Sequence, residues 1–282
     1  MSILVCGSVA YDSIMVFPDR FKHHILPDQI HILNVSFLVP DMRREFGGCA
    51  GNIAYSLKLL GSDPLIMATV GEDAGPYRAR MRALGLREDH VREVPGTFTA
   101  QAFITTDLDD NQITAFHPGA MFHSHLNDVR EAQGVRLGIV SPDGADGMLR
   151  HAAGFAEAGV PFVFDPGQAM PQFSADELQQ LIEQASWLAL NDYEAFLLSE
   201  RMGCDRAALS VQVRGMVVTL GEKGCEIWQE GDCQSIDPIT PAEVVDPTGC
   251  GDAWRGALLH GLQQGWDLLR CARQIGRASC RE

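Results

Sequence analysis

Residues 246–252 read Asp246-Pro247-Thr248-Gly249-Cys250-Gly251-Asp252, and an apolar helical pattern follows them at once. Small, turn-forming residues before a helix direct backbone N–H groups outward, and the helix dipole adds partial positive charge there. Gly249, Cys250 and Gly251 are therefore predicted to form an anion hole. The carboxylate of Asp252, in the first turn, would lie close enough to take a proton from a hydroxyl attacking a phosphoryl group. The pattern indicates a kinase, although Asp at this position is also a common helix cap.

A second glycine cluster opens another helix early in the chain. It reads Phe46-Gly47-Gly48-Cys49-Ala50-Gly51-Asn52, and the apolar spacing after it predicts a helix that stops at Gly61. Neither cluster has the Gly-Lys-Ser/Thr of a P-loop, and neither fits the spaced glycines of a dinucleotide site. A nucleotide must therefore be held in another way.

Short apolar runs alternate with helical patterns along the chain, as in a doubly wound α/β fold. The predicted buried strands are residues 3–5, 65–70, 137–140, 162–164, 187–190 and 216–220. The predicted helices are residues 50–60, 76–84, 147–158, 175–185 and 193–202. Ligands should bind at the carboxyl ends of such strands.

Two segments interrupt this alternation and predict an added β layer, at about residues 14–45 and 97–118. In the second segment, Phe103 falls on the polar face of one strand and Phe116 on the polar face of the returning strand. We expect both rings on the wetter face of one hairpin, where they would bind a flat ligand. The alternative is that they pack on each other or on a neighbouring chain.

Composition excludes several classes of function. The chain has 282 residues, 46% hydrophobic and 21% charged, which is typical of one large soluble α/β domain. The start lacks the basic region of a secretory signal, and the eight cysteines show no zinc spacing, so we expect a cytoplasmic protein with reduced thiols. A net charge of -15 argues against nucleic acid or an anionic membrane as partner. It does not argue against a phosphate ligand, because screening limits charge effects to about 8 Å.

Together the two glycine motifs resemble the signatures of the ribokinase-like carbohydrate and nucleoside kinases, the phosphofructokinase B family. The opening Val5-Cys6-Gly7-Ser8-Val9-Ala10-Tyr11-Asp12 is similar to the family's first strand and its substrate-contacting Asp. The resemblance runs from Met1 to about Gln274 and is closest to bacterial adenosine kinases. The stretches that indicate this are Phe17-Pro18-Asp19-Arg20-Phe21, Leu33-Asn34-Val35-Ser36-Phe37-Leu38-Val39, Phe116-His117-Pro118-Gly119-Ala120-Met121 and Asn191-Asp192-Tyr193-Glu194.

The resemblance implies a single kinase domain over residues 1–282, a three-layer α/β/α doubly wound sheet with a small β-sheet lid. It implies that the lid folds over a nucleoside and that Phe103 and Phe116 stack on the base. A carboxylate and an amide together can read a cis-diol, and the implied ribose contacts are Asp12, Gly48 and Asn52. Ser8, Ser36 and Gln168 match further nucleoside contacts. Ser8 could instead cap a turn, and Gln168 follows an ordinary turn sequence.

The resemblance also implies an ATP and Mg²⁺ site. Asn191, Thr219, Gly221 and Gly224 match residues at ATP, and Asn191 with Glu194 would order water around Mg²⁺. The same Asn-x-x-Glu pattern also fits a capping box, and both roles can hold at once. The helix dipole should lower the pKa of Asp252 and make it a weak base, which a loose transition state tolerates.

Residues 275–282 depart from the family, whose members continue through another helix and strand that help wall the adenine of ATP. We therefore expect the C-terminal part of the family fold to be missing. Three functions stay open: an ATP-dependent kinase of the adenosine 5′-hydroxyl, a sugar kinase acting on ribose or a related sugar, and a non-catalytic nucleoside-binding remnant. An exposed β lid could also pair with its twin across an edge to form a homodimer.

Overall fold

The computed structural model describes residues 2–25, 32, 34–239 and 249–278. The strands of this part of the chain are β1 (Ser2–Cys6), β2 (Ala10–Val16), β3 (Asp41–Gly47), β4 (Pro64–Val70), β5 (Arg87–Glu93), β6 (Ala100–Thr106), β7 (Gln112–His117), β8 (Val135–Val140), β9 (Phe162–Phe164), β10 (Trp187–Asn191), β11 (Met216–Thr219), β12 (Cys225–Gln229) and β13 (Asp232–Ile236). They form a larger sheet in the order β13-β12-β11-β10-β9-β8-β1-β4-β5 and a smaller sheet in the order β3-β2-β6-β7.

The five helices with predicted bounds begin and end within two residues of those bounds, whereas the short helix Arg206–Ser210 was not predicted. The helices of the described part of the chain are α1 (Cys49–Leu59), α2 (Gly75–Ala83), α3 (Ala145–Glu157), α4 (Ala175–Gln184), α5 (Asp192–Met202), α6 (Arg206–Ser210), α7 (Cys250–Gln263) and α8 (Leu268–Ala278). Helix α8 continues past Gln274, where the resemblance to the family was expected to end, while residues 279–282 lie outside the described part of the chain. Over the described ranges, no helix combines the length and apolar character that crossing a membrane requires.

The larger sheet is the middle layer of three. All five residues of β1 are buried, and their side chains alternate between its two faces. Ile3 and Val5 pack with α1, α2, α7 and α8, while Leu4 and Cys6 pack with α3, α4, α5 and α6. A strand buried on both faces is typical of a parallel sheet, and β1 is parallel to both β4 and β8. The predicted three-layer α/β/α fold is confirmed.

The strand order reverses direction at β1. The chain goes from β1 outward to β4 and β5 on one side, and from β8 through β9, β10 and β11 on the other. Such a switch point opens a crevice at the carboxyl ends of the central strands, where ligands bind in folds of this kind. The segments that follow β1, β8, β9, β10 and β11 therefore contain the candidate site.

The smaller sheet joins the two predicted β segments. It begins at Ala10, four residues before the predicted start, and residues 26–31 and 33 of the first segment lie outside the described part of the chain. Strand β2 is parallel to β6 and antiparallel to β3. Asp107 holds the β6–β7 turn, because its Oδ1 accepts hydrogen bonds from the amides of Asp109 and Asn111, each at 2.9 Å.

A buried carboxyl group lies just beyond β8. Asp143 is 2% exposed, and its Oδ1 accepts a hydrogen bond from the Gly144 amide at 2.9 Å. Burial raises the pKa of Asp143 to about 8, although the hydrogen bond from Gly144 opposes the increase. The folded protein therefore holds this proton through neutral pH, whereas the unfolded chain releases it near its ordinary value.

Asp143→Asn should flatten the decline of stability as the pH rises from acid to about 8. The Asp143 pKa is raised on folding, so its stabilising contribution is complete below the unfolded pKa and is lost as pH rises through about 8. Asn keeps the acceptor for the Gly144 amide and does not titrate. We expect the melting temperature to fall less in the variant than in wild type between about pH 5 and about pH 9.

Asp146→Asn is the matched control, because Asp146 is exposed in the first turn of α3. It should retain the wild-type slope of melting temperature against pH. Equal slopes in wild type, Asp146→Asn and Asp143→Asn would contradict the assignment.

Candidate active site

The late glycine motif forms the start of α7. Gly249 is the N-cap residue with a φ of 81°, a left-handed conformation that glycine adopts at little cost. The first intrahelical hydrogen bond runs from the Ala253 amide to the Gly249 carbonyl at 2.9 Å. Cys250, Gly251 and Asp252 thus form the first turn, as predicted. Asp246, Pro247 and Thr248 lie outside the described residues.

Asp252 is joined to the early glycine motif. Nδ2 of Asn52, in the first turns of α1, donates a hydrogen bond to Oδ2 of Asp252 at 2.9 Å. The two glycine motifs, 200 residues apart, thus meet at a single carboxylate. Asn52 was predicted to contact a ribose, and its carbonyl oxygen and second amide hydrogen remain suitable for that role.

The pKa of Asp252 is raised, not lowered. Burial is the largest cause, and the negative charge of Asp165 adds to it, while the Asn52 hydrogen bond and the Arg255 charge act in the other direction. The expectation that the helix dipole would make Asp252 a weak base is therefore wrong in sign, because desolvation outweighs the dipole at this half-buried position. A carboxylate with a raised pKa is a better proton acceptor near neutral pH.

An ion pair that the sequence reading missed lies beside Asp252. Arg255 is one turn further along α7, and its Nη2 donates to Oδ1 of Asp165 at 2.6 Å while its Nε lies against Oδ2. Both residues are buried, with 8% and 1% exposed. Asp165 directly follows β9 and is the first residue of the turn sequence that precedes Gln168. The i, i+3 spacing of Asp252 and Arg255 was the available signal, since it puts both on one helical face.

Glu194 extends the charge cluster towards α5. Nη2 of Arg255 lies 3.6 Å from Oε2 of Glu194. The same Oε2 accepts a hydrogen bond from the Asn191 amide at 2.8 Å, and the Glu194 amide donates to Oδ1 of Asn191 at 2.7 Å. The capping-box alternative is therefore confirmed. Burial, then the charge of Asp165, raises the pKa of Glu194.

The residues present fit Mg²⁺ bound through water. No group of three or more His, Cys, Asp or Glu side chains is arranged to hold a metal ion within the described ranges. Mg²⁺ commonly keeps several waters and uses only one or two carboxylates plus substrate phosphates. The carboxylate of Glu194 and the side-chain carbonyl of Asn191 supply oxygen atoms that would accept hydrogen bonds from the waters around such an ion.

Ser8 has a structural role at the carboxyl end of β1. Its Oγ accepts a hydrogen bond from the Cys49 amide at 3.2 Å, and its carbonyl accepts one from the Ala50 amide at 2.9 Å. Ser8 therefore supports the start of α1, a structural role close to the turn cap considered as its alternative, and its contact with a nucleoside stays a prediction. Gly48, between Ser8 and the helix, has a φ of 91°.

Asp12 lies on β2 and its pKa is raised by burial and then by Glu45, its cross-strand neighbour on β3. Gly47 leaves room for the carboxylate, because a Cβ there would lie 2.2 Å from Oδ2 of Asp12. The other cross-strand neighbour of Asp12 is Ala102 on β6, and Ala102 in turn is opposite Phe116 on β7. Asp12, Ala102 and Phe116 therefore share one face of the smaller sheet.

Phe103 lies on the opposite face, so the expectation that the two phenylalanines share a face is wrong. Phe103 is paired with Ser13 on β2 and with Ala115 on β7, one residue out of step with Phe116. Side chains alternate along a strand, and a difference of one position in register reverses the face. Phe116 and Phe103 are 51% and 42% exposed, so both rings remain available for contacts on their separate faces.

The predicted ATP residues lie on neighbouring strands. Asn191 at the end of β10 is in register with Thr219 at the end of β11, and Thr219 Oγ1 donates to the Leu190 carbonyl at 3.4 Å. Gly221 opens a 3-10 helix, and Gly224 ends it with a φ of 88°. A Cβ at Gly224 would lie 2.1 Å from the Ile236 carbonyl oxygen, so the turn requires glycine.

Ser36 and Gln168 are exposed and lie in less regular segments. Ser36 precedes β3, and Gln168 lies in the 3-10 helix Gly167–Gln172 that follows Asp165. The contacts among the described residues do not join either of them to Asp252 or Asn52. Their predicted contacts with a nucleoside stay predictions.

Comparison with known proteins defines the class. The sequence profile of the pfkB family carbohydrate kinases matches residues 7–278. This chain belongs to that family, whose members are phosphotransferases that act on a hydroxyl group, so the resemblance read from the two glycine motifs is confirmed.

Individual relatives agree with the family assignment. The nucleoside kinase of Methanocaldococcus jannaschii is 31% identical over 250 residues, which are 87% of this chain and 81% of the relative. The structure of Burkholderia thailandensis nucleoside kinase in complex with inosine is 50% identical, with a TM-score of 0.88 over 99% of this chain and 89% of that chain. The structure of the same kinase in complex with ADP-inosine is 52% identical, with a TM-score of 0.85 over 99% and 88% of the two chains.

Gly48→Ala should damage the site through the backbone. A Cβ at Gly48 would lie 2.6 Å from the Ser8 carbonyl oxygen and 2.7 Å from the Ala10 amide nitrogen, so the start of α1 must shift. We expect a loss of stability clearly above the roughly 1–3 kcal/mol typical of a strained φ, together with lost activity as Asn52 moves from Asp252. Denaturant unfolding and turnover measure the two effects.

Gly61→Ala is the matched control. Gly61 has a φ of 82°, yet nothing lies within 4 Å of a Cβ added there. It isolates the cost of the backbone conformation from the cost of the clash. Gly48→Ala and Gly61→Ala with equal unfolding free energies would refute the close-approach argument.

Proposed function

We propose that this chain is an ATP-dependent nucleoside kinase that phosphorylates the 5′-hydroxyl of adenosine to give AMP and ADP. The 50%-identical Burkholderia kinase, solved with inosine, supports a purine nucleoside as acceptor. Its complex with ADP-inosine supports ATP as the phosphoryl donor. The observation that carries the proposal is the position of Asp252, a carboxylate of raised pKa in the first turn of α7.

Asp252 would act on the acceptor hydroxyl. Its Oδ2 is held by Asn52 Nδ2 at 2.9 Å, which fixes the carboxylate plane. Oδ1 is then oriented to accept a hydrogen bond from the 5′-hydroxyl and, as the O–P bond forms, its proton. In a loose transition state the proton is lost late, so orientation of the hydroxyl contributes as much as basicity.

The first turn of α7 would stabilise the transferred phosphoryl group. The amides of Gly249, Cys250 and Gly251 lie at the positive end of the helix dipole, and a glycine-started turn permits close approach of the three equatorial oxygens. Thr219, Gly221 and Gly224, at the end of β11, would contact ATP beyond the reacting group. Mg²⁺, held through water by Asn191 and Glu194, would neutralise phosphate charge.

The smaller sheet would act as a lid over the nucleoside. Asp12 and Phe116 share a face, so a ribose bound by Asp12 and Asn52 would present its base on the same side as the Phe116 ring. Stacking on an aromatic ring contributes on the order of 1–3 kcal/mol per base. Gly48, Ser8, Ser36 and Gln168 would border this space. AMP as product supports a role in purine salvage, for which the sequence predicts a cytoplasmic location.

The outer face of the lid would form a homodimer. Phe103, Ile113 and Met42 lie on the face opposite Asp12 and are 42%, 43% and 65% exposed. The strands β3 and β7 are the edges of this sheet. An exposed apolar sheet with two edges is the kind of surface that pairs with another copy of the chain.

The substrate assignment is tested by ADP release with Mg-ATP and adenosine, inosine, ribose or fructose 6-phosphate. We expect turnover with adenosine and none above background with either sugar. Asp252→Asn should lower kcat by about 10²–10⁴-fold, because the proton acceptor is lost, with little change in nucleoside binding. Asp176→Asn, in the first turn of α4, is a control for loss of an acidic helix start.

Turnover on a sugar alone would replace the nucleoside reading with a sugar kinase. Adenosine binding without turnover on any acceptor would favour the non-catalytic remnant. Near-normal turnover by Asp252→Asn would remove Asp252 from the base role.

The two lid phenylalanines should give different phenotypes. Phe116→Ala should raise KM for adenosine by about tenfold, because base stacking is lost, whereas Phe116→Tyr keeps the ring and should stay near wild type. Thr114→Ala changes the same face of β7 and controls for general loosening of the strand. Phe103→Ala should instead shift the protein from dimer to monomer, measured by sedimentation over a dilution series.

An unchanged adenosine KM in Phe116→Ala would exclude stacking by that ring. A wild-type chain that sediments as a monomer at all concentrations would exclude the dimer, irrespective of the kinetics.

A further inference from the structure

Two carboxylates contact one guanidinium beside the candidate base Asp252. Asp165 comes from the turn after β9 and Glu194 from α5, and both contact Arg255 of α7, whose charge also acts on Asp252. The pKa of each carboxyl is raised, with burial as the largest cause. Removing a cation from such a group leaves uncompensated buried charge, which folded proteins avoid.

Arg255 makes contacts in three directions. Its Nη2 donates to Asp165 at 2.6 Å and lies 3.6 Å from Glu194. Its Nη1 donates to the Gly251 carbonyl at 3.1 Å, inside the first turn of α7. With 8% exposure, the side chain has little freedom to adopt another position. Arg255 therefore braces the turn that contains both the predicted anion hole and Asp252.

Asp252 faces polar and charged groups from α1, from the turn after β9 and from α7 itself. Asn52 and the Cys49 thiol come from α1, Asp165 from the turn after β9, and Arg255 from α7 itself. Tyr77 on α2 is a more distant neighbour. Of these, Arg255 is the cation and Asp165 the anion, and they act on Asp252 in opposite directions.

We propose that Arg255, held in place by Asp165, is a positioning residue that fixes the first turn of α7 and keeps Asp252 charged for phosphoryl transfer. This role rests on the proposed function of Asp252 as the proton acceptor. Arg255 does not touch the reacting atoms. It acts through its bond to the Gly251 carbonyl and through its charge.

Replacing Arg255 and replacing Asp165 should shift the Asp252 pKa in opposite directions. Replacing Arg255 by a neutral residue leaves Asp252 facing Asp165 without a cation, so its pKa rises and the acid limb of the kcat profile moves to higher pH. Replacing Asp165 by Asn removes the anion and leaves the cation, so the limb moves to lower pH. Loss of packing alone would change the amplitude of the profile and not move its limb in two directions.

The experiment compares wild type, Arg255→Gln, Arg255→Lys and Asp165→Asn. For Arg255→Gln we expect an acid limb shifted up by about one pH unit, and therefore kcat about tenfold lower on that limb, with adenosine KM unchanged. Arg255→Lys keeps the positive charge, so its acid limb should stay close to that of wild type. Its maximal kcat should still be lower than that of wild type, because lysine lacks the planar fork of the guanidinium. Asp165→Asn should shift the limb in the opposite direction.

A carboxyl carbon-13 NMR titration supplies a readout that needs no turnover. The resonance missing from Asp252→Asn identifies Asp252, and its midpoint should follow the same order in the four proteins. Midpoints that move as expected in a chain without nucleoside turnover would refute the proposed function and retain the electrostatic role. An unmoved midpoint in Arg255→Gln and Asp165→Asn, both folded by circular dichroism, would overturn the proposal.

Discussion

The hydrogen bond from Asn52 to Asp252 is the contact on which the site depends, because it joins the first turns of α1 and α7 across 200 residues of sequence. The bond requires the two helices to lie very close. Gly256 makes this possible, since a Cβ there would lie 2.8 Å from Cβ of Ser56 and 3.2 Å from the Ile53 carbonyl oxygen. Both helices also begin at a glycine with positive φ, which turns each chain sharply from its preceding segment into the helix. The close packing of α1 and α7 thus brings Asn52 and Asp252 together at the starts of the two helices.

The parallel sheet supplies the remaining residues of the site because of its topology. Ser8, Asp165, Asn191 and Thr219 follow or end β1, β9, β10 and β11, and the carboxyl ends of parallel strands meet at one edge. Several of these residues also hold the fold together. Ser8 supports the start of α1, and Asn191 with Glu194 caps α5. Because these contacts use backbone amides at helix starts, the polar side chains that a phosphate ligand needs are already oriented when the helices form.

Local patterns in the sequence predict part of this structure. The helices with strong apolar periodicity begin and end within about two residues of their predicted bounds, since a 3.6-residue period reports a buried face directly. The strands that were not predicted include β5 and β13, whose sequences Arg87-Glu88-Asp89-His90-Val91-Arg92-Glu93 and Asp232-Cys233-Gln234-Ser235-Ile236 are largely polar. Both are edge strands of the larger sheet, where few side chains are buried. The prediction that Phe103 and Phe116 share a face was wrong for a different reason. Alternation within each strand does not fix the register between the two strands, which depends on the turn that joins them.

The sign of the Asp252 pKa shift shows where local reasoning fails at the site. A helix N-terminus favours the anion, and the seven residues 246–252 are enough to predict that effect. Burial against α1 and the charge of Asp165, 87 positions earlier in the numbering, depend on the tertiary fold and act the other way. The tertiary effects prevail because desolvation grows with every neighbour that excludes water, whereas the dipole of one helix end is fixed. Arg255 and Asn52 then limit how far the increase goes, so that the same packing that makes Asp252 basic also supplies the charges that keep it ionised.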